Sequence, residues 1–173
     1  AWVFVAFFGG LAPRQTPWVR RWLVAFVGLG VALTAISWRF LLAHRHMGDV
    51  DLVREGMPLT RLLYGMYLAG KFLFLWFLVG GVAALRGGVW PCLRARTRIA
   101  CGAVCVLLGA ALPTIEMILV VQAPAVILAF GYSAWLLRSR VGERRETGRG
   151  VVAVLLWAWS LMWLVYATCT IML

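Results

Sequence analysis

Apolar residues in this chain run in long, nearly unbroken stretches, without the period of an amphipathic helix or strand. Four are evident: Trp22 to Leu42, Leu62 to Leu85, Ile99 to Leu137 and Val151 to Leu173. A membrane-crossing helix needs about 20 mostly apolar residues, and each stretch supplies them. A fifth, Ala1 to Pro13, is shorter but equally apolar. The 39 residues of the third stretch would make a helix of about 58 Å, roughly twice the hydrocarbon core of a bilayer. Its breakers and polar residues, Pro113, Glu116, Gln122 and Pro124, cluster near its middle. Division there predicts six helices spanning about 1-13, 22-42, 62-85, 99-115, 119-137 and 151-173, or five if 99-137 is not a hairpin.

Charge supports the division independently. Arg14 to Arg21 holds three Arg and no acid, Arg86 to Arg98 four Arg and no acid, and Arg138 to Arg149 five Arg and two Glu. In Ala43 to Thr60, two Arg meet Asp49, Asp51 and Glu55. Cytoplasmic loops carry the Lys/Arg excess. A hairpin turning outward between Pro113 and Pro124 places loops 14-21, 86-98 and 138-149 together on the cytoplasmic side, whereas one continuous helix would separate the last two. The loops are short, so sequence neighbours are expected to be antiparallel and in contact.

Composition narrows the class. Of 173 residues, 64% are hydrophobic and 13% charged, with a mean hydropathy of +0.91. A soluble domain carries about twice that charged fraction, which excludes a soluble enzyme, a secreted disulfide scaffold and a disordered protein. The net charge of +11 is explained by topology, with anionic lipid headgroups as counterparts of the Arg-rich loops and no nucleic acid among the expected partners. Sixteen Arg against one Lys, with heavy Ala use, suggests a GC-rich bacterial source, hence a multi-pass protein of the bacterial cytoplasmic (inner) membrane. The apolar ends and the absence of an initiator Met suggest a piece of a longer chain. Cys92, Cys101, Cys105 and Cys169 read as small apolar-phase residues, not as a disulfide or zinc framework.

Small residues let membrane helices approach closely. Gly28, Gly30, Ala32 and Thr34 offer this in the second span, Gly80, Gly81 and Ala84 in the third, and Gly102, Ala103, Gly109 and Ala110 in the fourth. Of ten Trp, Trp18, Trp22, Trp38 and Trp90 fall near span ends, where amphipathic rings favour the headgroup level. Trp157, Trp159 and Trp163 lie inside the last span. Trp159, Trp163 and Tyr166 share one face, open to a partner helix, to a lipid, quinone, carotenoid or (bacterio)chlorophyll contacted from a partner, or to aromatic packing within the bundle.

Lys71 is the sharpest feature, because an ionised group at depth is costly and marks function by default. Tyr64, Tyr67 and Lys71 fall at i, i+3 and i+7, with Arg61 one step earlier, as a polar stripe running inward. Glu116, at the outer end of the fourth span, could pair with Lys71; alternatively Lys71 snorkels outward along its stem. His44, His46, Asp49 and Asp51 form an outer-loop pattern that could ligate a metal or a porphyrin-type ring, or be a solvated turn neutralised by Arg45 and Arg54. No nucleophile–base constellation and no phosphate-cradling loop is present, so the expectation is no enzyme.

Gly131-Tyr132-Ser133-Ala134-Trp135-Leu136-Leu137-Arg138, the Arg-rich turn after it, Val154-Leu155-Leu156-Trp157-Ala158-Trp159, and Tyr67-Leu68-Ala69-Gly70-Lys71-Phe72-Leu73-Phe74 together resemble the membrane input regions of bacterial multi-spanning sensor proteins. The resemblance covers about a third of the chain. It implies a signalling output module after the last span and no catalytic residues here; a C-terminus outside the cell departs from it, since another span would have to intervene. The expected fold is an all-α polytopic transmembrane helix bundle. The expected function is a non-catalytic accessory or assembly subunit, packed against other membrane subunits of a larger photosynthetic or respiratory complex. The alternatives are a sensory input module and, third, a small transporter.

Overall fold

The computed structural model describes residues 1–11, 17–45, 57–87, 95–112, 114–138 and 147–172, and these are helical apart from short ends and turns. The helices are α1 (Trp2–Leu11), α2 (Pro17–Arg45), α3 (Pro58–Leu85), α4 (Ala95–Ala111), α5 (Ile115–Arg138) and α6 (Thr147–Met172). Three are long and apolar enough to cross a membrane: α2 over Pro17–Leu41, α3 and α5; α6 carries a shorter apolar stretch, Gly150–Tyr166.

Local chemistry sets the ends. Proline opens α2 and α3 at the first helical position, where its fixed φ fits and a missing N–H costs nothing. At the other end of α3, the Arg86 N–H bonds back to the Val82 and Ala83 carbonyls, and Gly87 takes φ 69°, the left-handed stop that glycine adopts without a Cβ penalty. The start at Pro17 draws Arg20 and Arg21 into the first turns of α2, so part of the expected loop 14-21 is helix. Arg21 then donates to the Gly80 carbonyl at 2.6 Å, a cation beside the C-terminal end of α3.

The long apolar stretch does divide, at the near edge of the expected turn. α4 ends at Ala111 and α5 begins at Ile115, so Glu116 lies in the first turn of α5, not at the outer end of the fourth span. An acid suits a helix N-terminus. Gln122 and Pro124, read as turn residues, are inside α5. An apolar helix carries an internal proline where surrounding structure tolerates one lost backbone bond.

α3 is the centre of the bundle, packed by α2, α4 and α5, while α1 lies on α2 and α6 on α5. Gly28 of α2 faces Gly70 of α3, where a Cβ on either would come within 2.8 Å of the other's carbonyl oxygen. Gly109 of α4 sits against Gly65, its Cβ position 2.7 Å from the Gly65 Cα. Gly28 and Gly109 were expected at such approaches; their partners Gly70 and Gly65 were not, and Gly102, expected, has nothing within 4 Å. Residues higher in α2 meet residues lower in α3 (Arg39 with Tyr64, Arg21 with Gly80), so these two helices are antiparallel. Tyr67 meets Gln122 and Phe74 meets Phe130, so α3 and α5 run parallel. α4 and α5, though consecutive, each pack on α3 far more than on one another. This corrects the expectation that chain neighbours always touch: the three residues between them let the two helices diverge over α3.

Candidate functional site

Lys71 is residue 14 of the 28 in α3, the midpoint of the helix. Its ammonium lies 5.6 Å from the Tyr67 ring centroid and 5.3 Å from that of Trp163 on α6. Both rings are within the range where a π face attracts a cation, by about 0.5–2 kcal/mol depending on desolvation. Lys71 therefore leans one turn toward the start of α3, to Tyr67, but is held by two rings near the helix midpoint instead of reaching the helix end as snorkelling would require.

Glu116 is exposed and makes no ion pair with Lys71 among the described residues. The parallel register explains this. Tyr67 and Gln122 share a level, Lys71 lies four residues inward of Tyr67, and Glu116 lies six residues outward of Gln122. Ten residues of helix separate the two charges by about 15 Å along the bundle.

Gln122, missed as a site residue because its neighbouring prolines suggested a turn, completes the polar cluster. It is 5% exposed and donates from Nε2 to the Tyr67 hydroxyl at 3.0 Å, while its Oε1 is buried without a partner among the described residues. Tyr64, also buried, packs in one cluster with Tyr67, Ala32, Leu68 and Ile118, and the Arg39 guanidinium lies 5.1 Å over its ring. The two tyrosines differ in their polar neighbours, Arg39 of α2 at Tyr64 and Gln122 of α5 at Tyr67. Arg61 is exposed.

Beside the cluster, where α4 and α5 diverge over α3, lies a cavity of about 460 Å³. Its walls are apolar for most of their length, from Leu68 and Leu75 to Val79 on α3, Cys105 and Leu108 on α4, and Val121 to Tyr132 on α5, with Lys71 and Gln122 at the end nearer the start of α5. That volume is within the usual range for small-molecule sites.

The aromatic face of α6 divides as well. Trp163 turns inward to Lys71 and meets Tyr166 edge-on at 5.8 Å. Trp159 stacks on Phe130 at 5.8 Å yet remains 53% exposed, and Tyr166 is exposed. Trp18 and Trp22 meet edge-on in the first turns of α2, and Trp38 is exposed near its other end. The His44 side chain, His46, Asp49, Asp51, Trp90 and Cys92 lie outside the described residues, as do 14–16, 88–94 and 139–146 of the Arg-rich segments. The chain matches no protein family, no curated protein and no solved structure.

Proposed function

We propose that the chain is a six-span bundle of the bacterial cytoplasmic membrane, acting as a non-catalytic subunit that packs against partner subunits of a larger membrane complex. The division of α4 from α5 supports the six-span topology with the Arg-rich connections on one side, as do the antiparallel α2–α3 pair and the parallel α3–α5 pair. One observation carries the partner reading: Trp159 lies at the middle of α6, half exposed, with exposed Met162 and Tyr166 on the same side of the helix. Lipid-facing positions at mid-span are ordinarily aliphatic, because indole and phenol groups favour the headgroup level. A flat aromatic patch at that depth suits a partner helix, or a carotenoid, quinone or chlorophyll-type ring held by one.

The test is purification of the native protein in mild detergent, with mass spectrometry and an absorption spectrum of the product. Stoichiometric partner subunits support the reading, and Trp159→Leu with Tyr166→Leu should release them. A chain that purifies alone, joined to a cytoplasmic output domain, would favour the sensory-input reading instead. The α3–α4–α5 cavity supports that second reading, since an input module requires a place for its effector.

A further inference from the structure

The cavity carries charge at one end only. On α3 its lining runs from Leu68 and Lys71 to Val79, and on α5 from Val121 and Gln122 to Tyr132. Eleven residues separate Leu68 from Val79, a groove about 16 Å long. Its lining is aliphatic or aromatic except where Lys71 and Gln122 enter, with Trp76 along its length and the Tyr132 phenol at the far end. Such a space fits an elongated amphiphile better than a compact polar solute.

The charge at its head has no carboxylate partner among the described residues. Among the described residues Glu116 is the sole carboxylate, and it lies far outward of Lys71 along the bundle. Two aromatic faces offset only part of the cost of an ammonium at mid-span. Gln122 adds a second, independent sign of an unfilled site, a buried amide oxygen that hydrogen-bonds to nothing described. Its amide can turn by half a rotation without losing Tyr67, because the phenol both donates and accepts. Tyr67 O–H then donates to Oε1, and the Nε2 hydrogens become the unpartnered group of a residue that lines the groove beside Lys71. Both head-end groups are then donors, and their shared complement is an anionic acceptor.

We propose that this groove binds a long-chain carboxylate, its anionic head between Lys71 and Gln122 and its apolar tail along Leu75 and Val79. Binding neutralises the mid-span cation, satisfies the Gln122 amide and fills the apolar space. The proposal rests on α3 and α5 being membrane spans but not on any partner at α6.

The experiment uses the full chain, purified in a non-ionic detergent and titrated with oleate, methyl oleate and oleyl alcohol, read by radiolabelled-oleate binding and thermal unfolding. Resistance of the membrane-bound chain to alkaline carbonate extraction is checked first, so that failure of the span reading is told apart from failure of the site. Oleate should bind one per chain and raise the melting temperature, with both uncharged analogues at least about tenfold weaker. Lys71→Arg should retain binding within a few-fold of wild type, while Lys71→Met should lose about tenfold or more. Ala125→Phe, an exposed position on the groove wall, should block binding without lowering the melting temperature of the ligand-free protein. Equal binding of oleate and methyl oleate, or unchanged binding in Lys71→Met, overturns the proposal. If Lys71→Met does not fold, Ala125→Phe and the uncharged analogues decide it, and full oleate binding by Ala125→Phe likewise overturns it.

Discussion

Lys71 and Trp163, 92 residues apart in the chain, meet across the bundle with the ammonium 5.3 Å from the indole ring centroid. This contact joins two features that are separate in the sequence, the intramembrane cation and the aromatic face of the last helix. It also ties α6, which otherwise packs on α5, to the central helix α3. A double-mutant cycle measures it. Trp163→Leu should destabilise the protein more when Lys71 is present than in a Lys71→Met background, by a coupling of about 0.5–2 kcal/mol. Reversible unfolding in mixed micelles gives the four stabilities. A coupling of zero would mean that the ring and the cation are neighbours without mutual attraction.

The Tyr67–Gln122 bond lends itself to a sharper test, because its members are buried and their losses are asymmetric. Gln122→Leu leaves the Tyr67 hydroxyl without its partner, and Tyr67→Phe leaves the Gln122 amide with none among the described residues. Each single change should cost about 1–3 kcal/mol, the penalty for an unsatisfied buried polar group. The double variant removes both ends and should lie nearer to wild type than the sum of the two. Strictly additive losses would show that water or lipid reaches this level of the bundle.

Much of this architecture is legible in the sequence, for physical reasons that also set the limit. Long apolar runs locate the helices, and Pro113 with the charge balance of the connections identifies the break between α4 and α5. Pro124 misleads, because a proline ends a helix in water far more readily than in an apolar helix whose neighbours absorb the lost bond. Lys71 stands out by cost alone. Its surroundings do not, because they depend on the parallel register of α3 and α5, and no local pattern encodes how far one helix slides along another. Glu116 is a reasonable partner by charge but not by level. Gln122 would have been found by asking which polar residue lies inside an apolar run instead of which residue breaks it.

Close backbone approach makes the next prediction selective. A Cβ at Gly109 would lie 2.7 Å from the Gly65 Cα and from the Tyr64 carbonyl oxygen, backbone atoms that cannot rotate away. Gly109→Ala should therefore push α4 off α3 at a cost of about 1–3 kcal/mol. Gly102→Ala, on the same helix with nothing within 4 Å, should be neutral or stabilising by up to about 1 kcal/mol through helix propensity. The two melting temperatures, measured side by side in one detergent, separate a packing effect from a general intolerance of substitution in α4. Equal shifts would place the Gly65–Gly109 approach in doubt.

The last prediction concerns topology, where α4 and α5 make opposite demands on a simple hydropathy reading. α4, at 17 residues, is about 26 Å long, near the shortest length that spans a bilayer, while α5, at 24 residues, reaches about 36 Å. If both cross, the connections on their far sides face the same compartment. Single cysteines replacing Arg94 and Arg144, in a background lacking the natural cysteines, should then both resist a membrane-impermeant maleimide in intact cells and both react after permeabilisation. A cysteine at Thr114, between the two helices, should show the reverse pattern. Labelling of Arg94→Cys and Arg144→Cys from opposite sides would mean that α4 and α5 cross as one unit, and the shared cytoplasmic placement of the Arg-rich connections would fail with it.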